Sequence, residues 1–125
     1  MTGRILFVFC LTIISFSGQA QPGTEIYLFD LKIKRDQVII SNPKNITNRK
    51  GYDNQPFFHP DKPLLYFVSA NDEGRTDIVA FNYVSGESKK ITQTHDREYS
   101  PTVTPDKQFI SCILQRDSGA QDLVK

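Results

Sequence analysis

Apolar positions in this chain come in short runs broken by turn residues, which is the pattern of strands rather than helices. Leu64–Ser69 (LLYFVS) is a continuous apolar and aromatic run and predicts a strand covered on both faces. Asp77–Tyr83 (DIVAFNY) alternates, with Ile78, Ala80 and Asn82 on one face. Gln55–Phe58 is a brief strand that enters a turn at His59-Pro60-Asp61-Lys62. Proline presets φ at the first central turn position and aspartate suits the next. Asn71-Asp72-Glu73-Gly74 is a polar hairpin tip with a glycine available for positive φ. Ser85-Gly86-Glu87 turns the chain again, and Ser88–Thr92 (SKKIT) is polar enough for an outer edge strand. These four strands fill the length of one propeller blade, about 45 residues.

The pattern then repeats. Asn45–Ser69 aligns with Lys90–Leu114 without a gap. Ile46-Thr47 matches Ile91-Thr92, Pro56 matches Pro101, and Pro60-Asp61-Lys62 matches Pro105-Asp106-Lys107, every pair 45 residues apart. Downstream, Asp77-Ile78-Val79 meets Asp122-Leu123-Val124 at the same offset. Upstream, Glu25–Leu31 reads as a third strand, and Gln37–Ile40 with Lys44–Thr47 covers the fourth. Ile26 and Ile78 lie 52 residues apart, so Lys32–Lys44 is expected to hold a longer connection. The fold class is therefore all-β: a partial β-propeller of about two four-stranded antiparallel blades, plus two N-terminal strands of an incomplete blade.

The N-terminus obeys a different rule. Arg4 precedes a predominantly apolar run of twelve, Ile5–Phe16, and the small residues Gly18 and Ala20 follow. This is the three-part form of a secretory signal, too short to span a bilayer. Residues 1–20 are expected to be removed, leaving residues 21–125 as the folded part without a membrane span. Phe9 before Cys10 does not fit a lipoprotein cleavage box. Without residues 1–20, 14 basic side chains face 14 acidic ones, so the mature chain is neutral and lacks the footprint of a nucleic-acid binder. Only Cys112 remains of the cysteines, so no internal disulfide is expected, and Cys112 reads as a small buried residue.

The motifs of the repeat resemble the TolB-like propeller family, a relative of the WD-repeat blade. Ile91-Thr92, Ser100-Pro101, Thr104-Pro105-Asp106-Lys107 and Phe109–Ser111 carry the resemblance in one copy. His59-Pro60-Asp61-Lys62, Leu64–Ser69, Asp77-Ile78-Val79 and Ser85-Gly86-Glu87 carry it in the other. Lys62 and Lys107 stand where the family has the glycine of its Pro-Asp-Gly turn, and His59 and Thr104 replace its serine. The resemblance implies a non-enzymatic protein-binding or scaffold propeller in the bacterial cell envelope, periplasmic or extracellular. It implies an envelope protein partner, and loops where partners bind; Tyr52 and Tyr99, in loops before inner strands, are the candidate contacts. A ring of six blades at this period needs about 270 residues. The chain is thus expected to be the N-terminal piece of a longer protein, its remaining blades lying elsewhere and its C-terminal end closing the circle. A rival reading is the propeller of a secreted prolyl-oligopeptidase-type serine peptidase whose hydrolase domain lies outside this chain. A third is a propeller with a small-molecule or sugar site in its channel.

Catalytic signatures are absent: there is no G-x-S-x-G, H-E-x-x-H, C-x-x-C or glycine-rich phosphate loop. No catalytic residue, cofactor or metal ligand is expected. His59 and His95 sit in loops, and Asn71-Asp72-Glu73 with Asp77 lacks the alternation of a calcium loop. Asn45-Ile46-Thr47 matches a glycosylation sequon but coincides with the repeat's own Ile-Thr pair. Phe57, Phe58, Tyr66, Phe67, Phe81 and Tyr83 are expected to pack between blades.

Overall fold

Turn residues cut residues 23–125, the part that the computed structural model describes, into nine strands. The secretion signal expected over residues 1–20 lies outside the described residues. β1 (Tyr27–Lys34) and β2 (Gln37–Asn45) form a two-stranded ribbon. β3 (Asp53–Phe58), β4 (Leu64–Ala70), β5 (Thr76–Asn82) and β6 (Ser88–Lys90) form a four-stranded sheet in sequence order. β7 (Arg97–Val103), β8 (Ile110–Gln115) and β9 (Gln121–Val124) form a three-stranded sheet. All paired strands are antiparallel, and no sheet closes on itself. Among the described residues there is no helix, and so none long and apolar enough to cross a membrane. The second four-stranded blade of the expectation is thus a sheet of three, with β9 as its outer strand.

The 45-residue period is geometric as well as written. The pairing of β3 with β4 shifts between Asn54 and Phe57, and that of β7 with β8 between Tyr99 and Thr102. Inside each shift stands a left-handed residue before a proline: Gln55 and Ser100, both at φ 53°. A bulge on an edge strand is where proline fits, since no ladder N–H is required of it. The two bulges also touch, with Ser100 N donating to Gln55 Oε1 at 2.8 Å.

The Ile-Thr pairs have an equally local cause. Thr92 Oγ1 accepts the N–H of Ile78 at 2.8 Å, and Thr47 Oγ1 accepts that of Ile26 at 3.1 Å. The N–H of Ile91 and of Ile46 returns to the carbonyl of the same isoleucine. Each Ile-Thr clasp ties the end of a fourth strand to the start of a third. The N-terminal copy has this clasp despite its 52-residue spacing. Its additional residues do not lengthen the connection, as the spacing suggested. They lengthen the strands, which reach eight and nine residues and meet at a two-residue turn, Arg35-Asp36.

The two Pro-Asp turns differ. Lys107 takes the left-handed place of the missing glycine, at φ 59°, and its N–H closes on Thr104 O at 2.8 Å. Asp106 Oδ1 accepts Gln108 N at 3.1 Å. Pro63 stands at the position of Gln108 and has no N–H to give. There the buried His59 ring closes the turn instead: its Nδ1 accepts Asp61 N and Lys62 N, and Lys62 is not left-handed.

The central sheet, β3–β6, is covered on both faces. Tyr66, Val68, Ile78 and Ala80 pack with Val103 and Cys112 of the three-stranded sheet. Leu65, Phe67, Val79 and Phe81 pack on the other face with Ile26, Leu28 and Ile46. Strand alternation produces this division, since neighbours along β4 and β5 point to opposite faces. Two of the aromatics expected between sheets are not there. Phe58 and Tyr83 are exposed and meet each other edge-on, because both lie where the sheet ends in turns.

Candidate functional site

A cleft runs along each face of the central sheet, and the two are repeat counterparts. The one beside the ribbon, of about 380 Å³, is lined by Ile46, Thr47, Arg49, Phe67, Ser69 and Val79 among others. The one beside the three-stranded sheet, of about 460 Å³, has Ile91, Thr92, Thr94, Cys112, Leu114 and Val124 at those same positions, 45 residues on. The substitutions change the chemistry. Arg49 becomes Thr94, Phe67 becomes Cys112, and Ser69 becomes Leu114.

Each repeat buries a carboxylate at the same position, Asp53 behind the Arg49 that lines the first cleft and Glu98 in the lining of the second, each 1 % exposed. Neither was expected from the sequence, because an acidic residue entering a strand after a polar loop reads as solvated. The one available signal was their common place in the 45-residue alignment. Asp53 is neutralised within the chain. Arg49 reaches its Oδ1 through Nη2 at 2.8 Å and Nε at 3.2 Å, and Nη2 also donates to Ser69 Oγ and Ala70 O. Burying a charge is tolerated when it is paired and hydrogen-bonded in this way.

Glu98 has no such partner. The hydroxyl of Thr94 donates to its Oε1 and that of Thr92 to its Oε2. Among the described residues no lysine, arginine or histidine forms an ion pair with it. Burial raises the Glu98 carboxyl above its ordinary range, the negative Asp77 and Asp96 adding to the effect and the threonine bonds opposing it. Asp77 itself is held by Lys90 Nζ at 2.9 Å. Burial, with the Glu98 charge second, also pushes up the Cys112 thiol, which disfavours a nucleophilic thiolate there.

The candidate contact residues lie nearby. Tyr52 sits in the bridge just before β3, its hydroxyl accepting Asn54 Nδ2 at 2.8 Å. Tyr99 is not in the loop before β7, as its neighbours suggested, but within the strand, opposite Ile113. Pairing starts at Arg97 and draws Tyr99 into the sheet. Both rings are half-buried and pack against the cluster that joins the central and three-stranded sheets. The acidic hairpin tip Asn71–Gly74 is organised by its own asparagine, Asn71 Oδ1 accepting Glu73 N and Arg75 N. Among the described residues no three metal-binding side chains converge. Comparisons with protein-family models, with curated proteins and with solved structures returned no match for this chain.

Proposed function

We propose that this chain contributes blades to an exported, TolB-like β-propeller, a non-enzymatic protein-binding or scaffold module of the bacterial cell envelope. The observation that carries the reading is the recurrence of one construction at a 45-residue spacing. A left-handed residue followed by proline, Gln55-Pro56 or Ser100-Pro101, bulges the first strand of each sheet, and the contact between Gln55 and Ser100 joins successive sheets. A central sheet with both faces covered by its neighbours is what a radial array of blades requires. Tyr52, just before β3, and Tyr99, within β7, are the proposed contacts for a partner.

Photo-crosslinking in the host tests the binding role. A benzophenone side chain replaces Tyr52, Tyr99 or, as a control, the exposed Val84. The expected result is one defined adduct from position 52 or 99 and none from 84. No adduct, or equal adducts from all three positions, would sink the partner reading. Hydrolysis of prolyl peptides by the purified gene product would favour the peptidase rival instead.

A further inference from the structure

The two clefts differ in one decisive way: in the first a cation is paired with the buried carboxylate, and in the second none of the lining lysines, Lys62, Lys107 and Lys125, forms an ion pair with Glu98. In the first, the guanidinium of Arg49 sits on the buried Asp53. In the second, the counterpart of Arg49 is Thr94, too short and uncharged, while the carboxylate is kept as Glu98. The walls differ as well: Cys112 replaces the ring of Phe67 and opens one side, while the apolar Leu114 replaces Ser69, which accepts from Arg49 in the first cleft. What is left is an apolar-walled cleft of about 460 Å³ with an uncompensated acid in its lining.

We infer that this cleft receives an arginine side chain from a protein partner, its guanidinium taking on Glu98 the place that Arg49 takes on Asp53. Each oxygen of Glu98 accepts one threonine hydroxyl, which leaves capacity for further donors. A guanidinium suits the place better than an ammonium ion. It is planar, can donate to both carboxylate oxygens, and is more weakly hydrated, so it enters a desolvated site at lower cost. The cleft walls, with Tyr66, Ile91 and Leu114 among them, match the three methylenes of its stem.

The cleft also has a direction. Glu98 begins β7, and the turn that follows the strand's last residue, Val103, lies roughly 15 Å away by strand rise. The lysines of the lining belong to the two Pro-Asp turns, Lys62 and Lys107, or to the end of the sequence, Lys125. Lys107 is paired with Asp61 at 2.8 Å, and Lys125 Nζ lies 4.7 Å from the centre of the Phe109 ring. A cation is thus favoured at the Glu98 end and disfavoured at the turn end.

This inference rests on the reading of the chain as a binding module, but its test needs only a small probe. Blocked arginine (the N-acetyl, N-methylamide derivative) is titrated into the full chain by NMR, with blocked citrulline as the uncharged isostere and free arginine as a third arm. Blocked arginine is expected to bind at least tenfold tighter than citrulline. Free arginine binding better than the blocked form would overturn a protein side chain as the source. Glu98→Gln should abolish the preference while the fold, followed by amide shifts, persists. Thr94→Arg should fill the site from within: probe binding is lost and the melting temperature rises. Equal binding of arginine and citrulline, or binding indifferent to both substitutions, would overturn the inference. Either result leaves the crosslinking test of the module to be decided separately.

Discussion

The central sheet and the β1–β2 ribbon are built from similarly apolar strands, yet they spend them differently. In β4 and β5 nearly every side chain from Leu65 to Phe81 is buried, because a sheet stands on each side. In the ribbon Tyr27, Phe29, Leu31, Ile33, Val38 and Ile40 are each more than half exposed. Pairing of Leu31 with Ile40 and of Ile33 with Val38 places them on one face. Only Ile26, Leu28 and Ile46, at the base, reach a core. Apolar composition makes a strand; a second sheet makes it part of a core.

The sharpest way to break the comparison is to truncate the same residue type in both places. Leu65→Ala, at a fully buried site, should lower stability by about 2–5 kcal/mol in chemical denaturation. Leu31→Ala should stay within about 0.5 kcal/mol. Similar losses at the two positions would mean that the ribbon face is covered in solution.

The Ile-Thr clasps give a second, smaller contrast. Thr92→Val keeps the shape but leaves the N–H of the buried Ile78 without its acceptor, which should cost about 1–3 kcal/mol. Thr47→Val at the ribbon base should cost less, since its bond is longer and its surroundings more open. Thermal melting of the two variants decides the order.

Glu98 supplies a pH test within the covered region. Its folded pKa lies above the unfolded value of 4.5. Below that value the group is neutral in both states and has no effect. As pH rises past it, the unfolded chain ionises freely and the folded one resists, so stability is lost until the raised pKa is passed. Glu98→Gln should therefore melt higher than the parent at pH 7, and the two should converge near pH 4. A gap that widens on acidification would contradict this origin.

The smallest expected effect is in the turns. Lys107→Gly relieves a left-handed lysine and should gain about 0.5–1 kcal/mol. It also removes the exposed pair with Asp61, worth about 1 kcal/mol at most. The net gain should emerge in high salt, where that pair is screened. Lys62→Gly, at a turn closed by His59, should show no such gain.

Much of this was legible in the sequence, because strands and turns are written locally. The run Leu64–Ser69 predicted a strand buried on both faces, and β4 is one. The bounds of β3, β5 and β6 were within two residues of those found. The resemblance put Lys62 and Lys107 at a turn glycine's position, and of the two only Lys107 is left-handed, because Pro63 and His59 change the other turn. Less legible was whatever depends on a partner distant in sequence. The burial of Asp53 and Glu98 was not legible, because it is decided by neighbouring sheets. Tyr99 looked like a loop residue because its pairing with Ile113 is not visible from its own neighbours. The ribbon's apolar face could not be told from a buried one, since exposure depends on what lies opposite.

The bond between Ser100 and Gln55 joins a residue to its own counterpart one unit earlier. Such a contact is indifferent to how many units come before or after it. A gene that gained or lost one whole unit would leave every surviving residue facing a partner of the same kind. Residues added inside a unit must instead fall where no bulge or clasp is displaced, as in the long hairpin of the ribbon, which keeps its Ile-Thr clasp. Length in this molecule can thus change in two ways that spare these contacts, by whole units or at the far end of a hairpin.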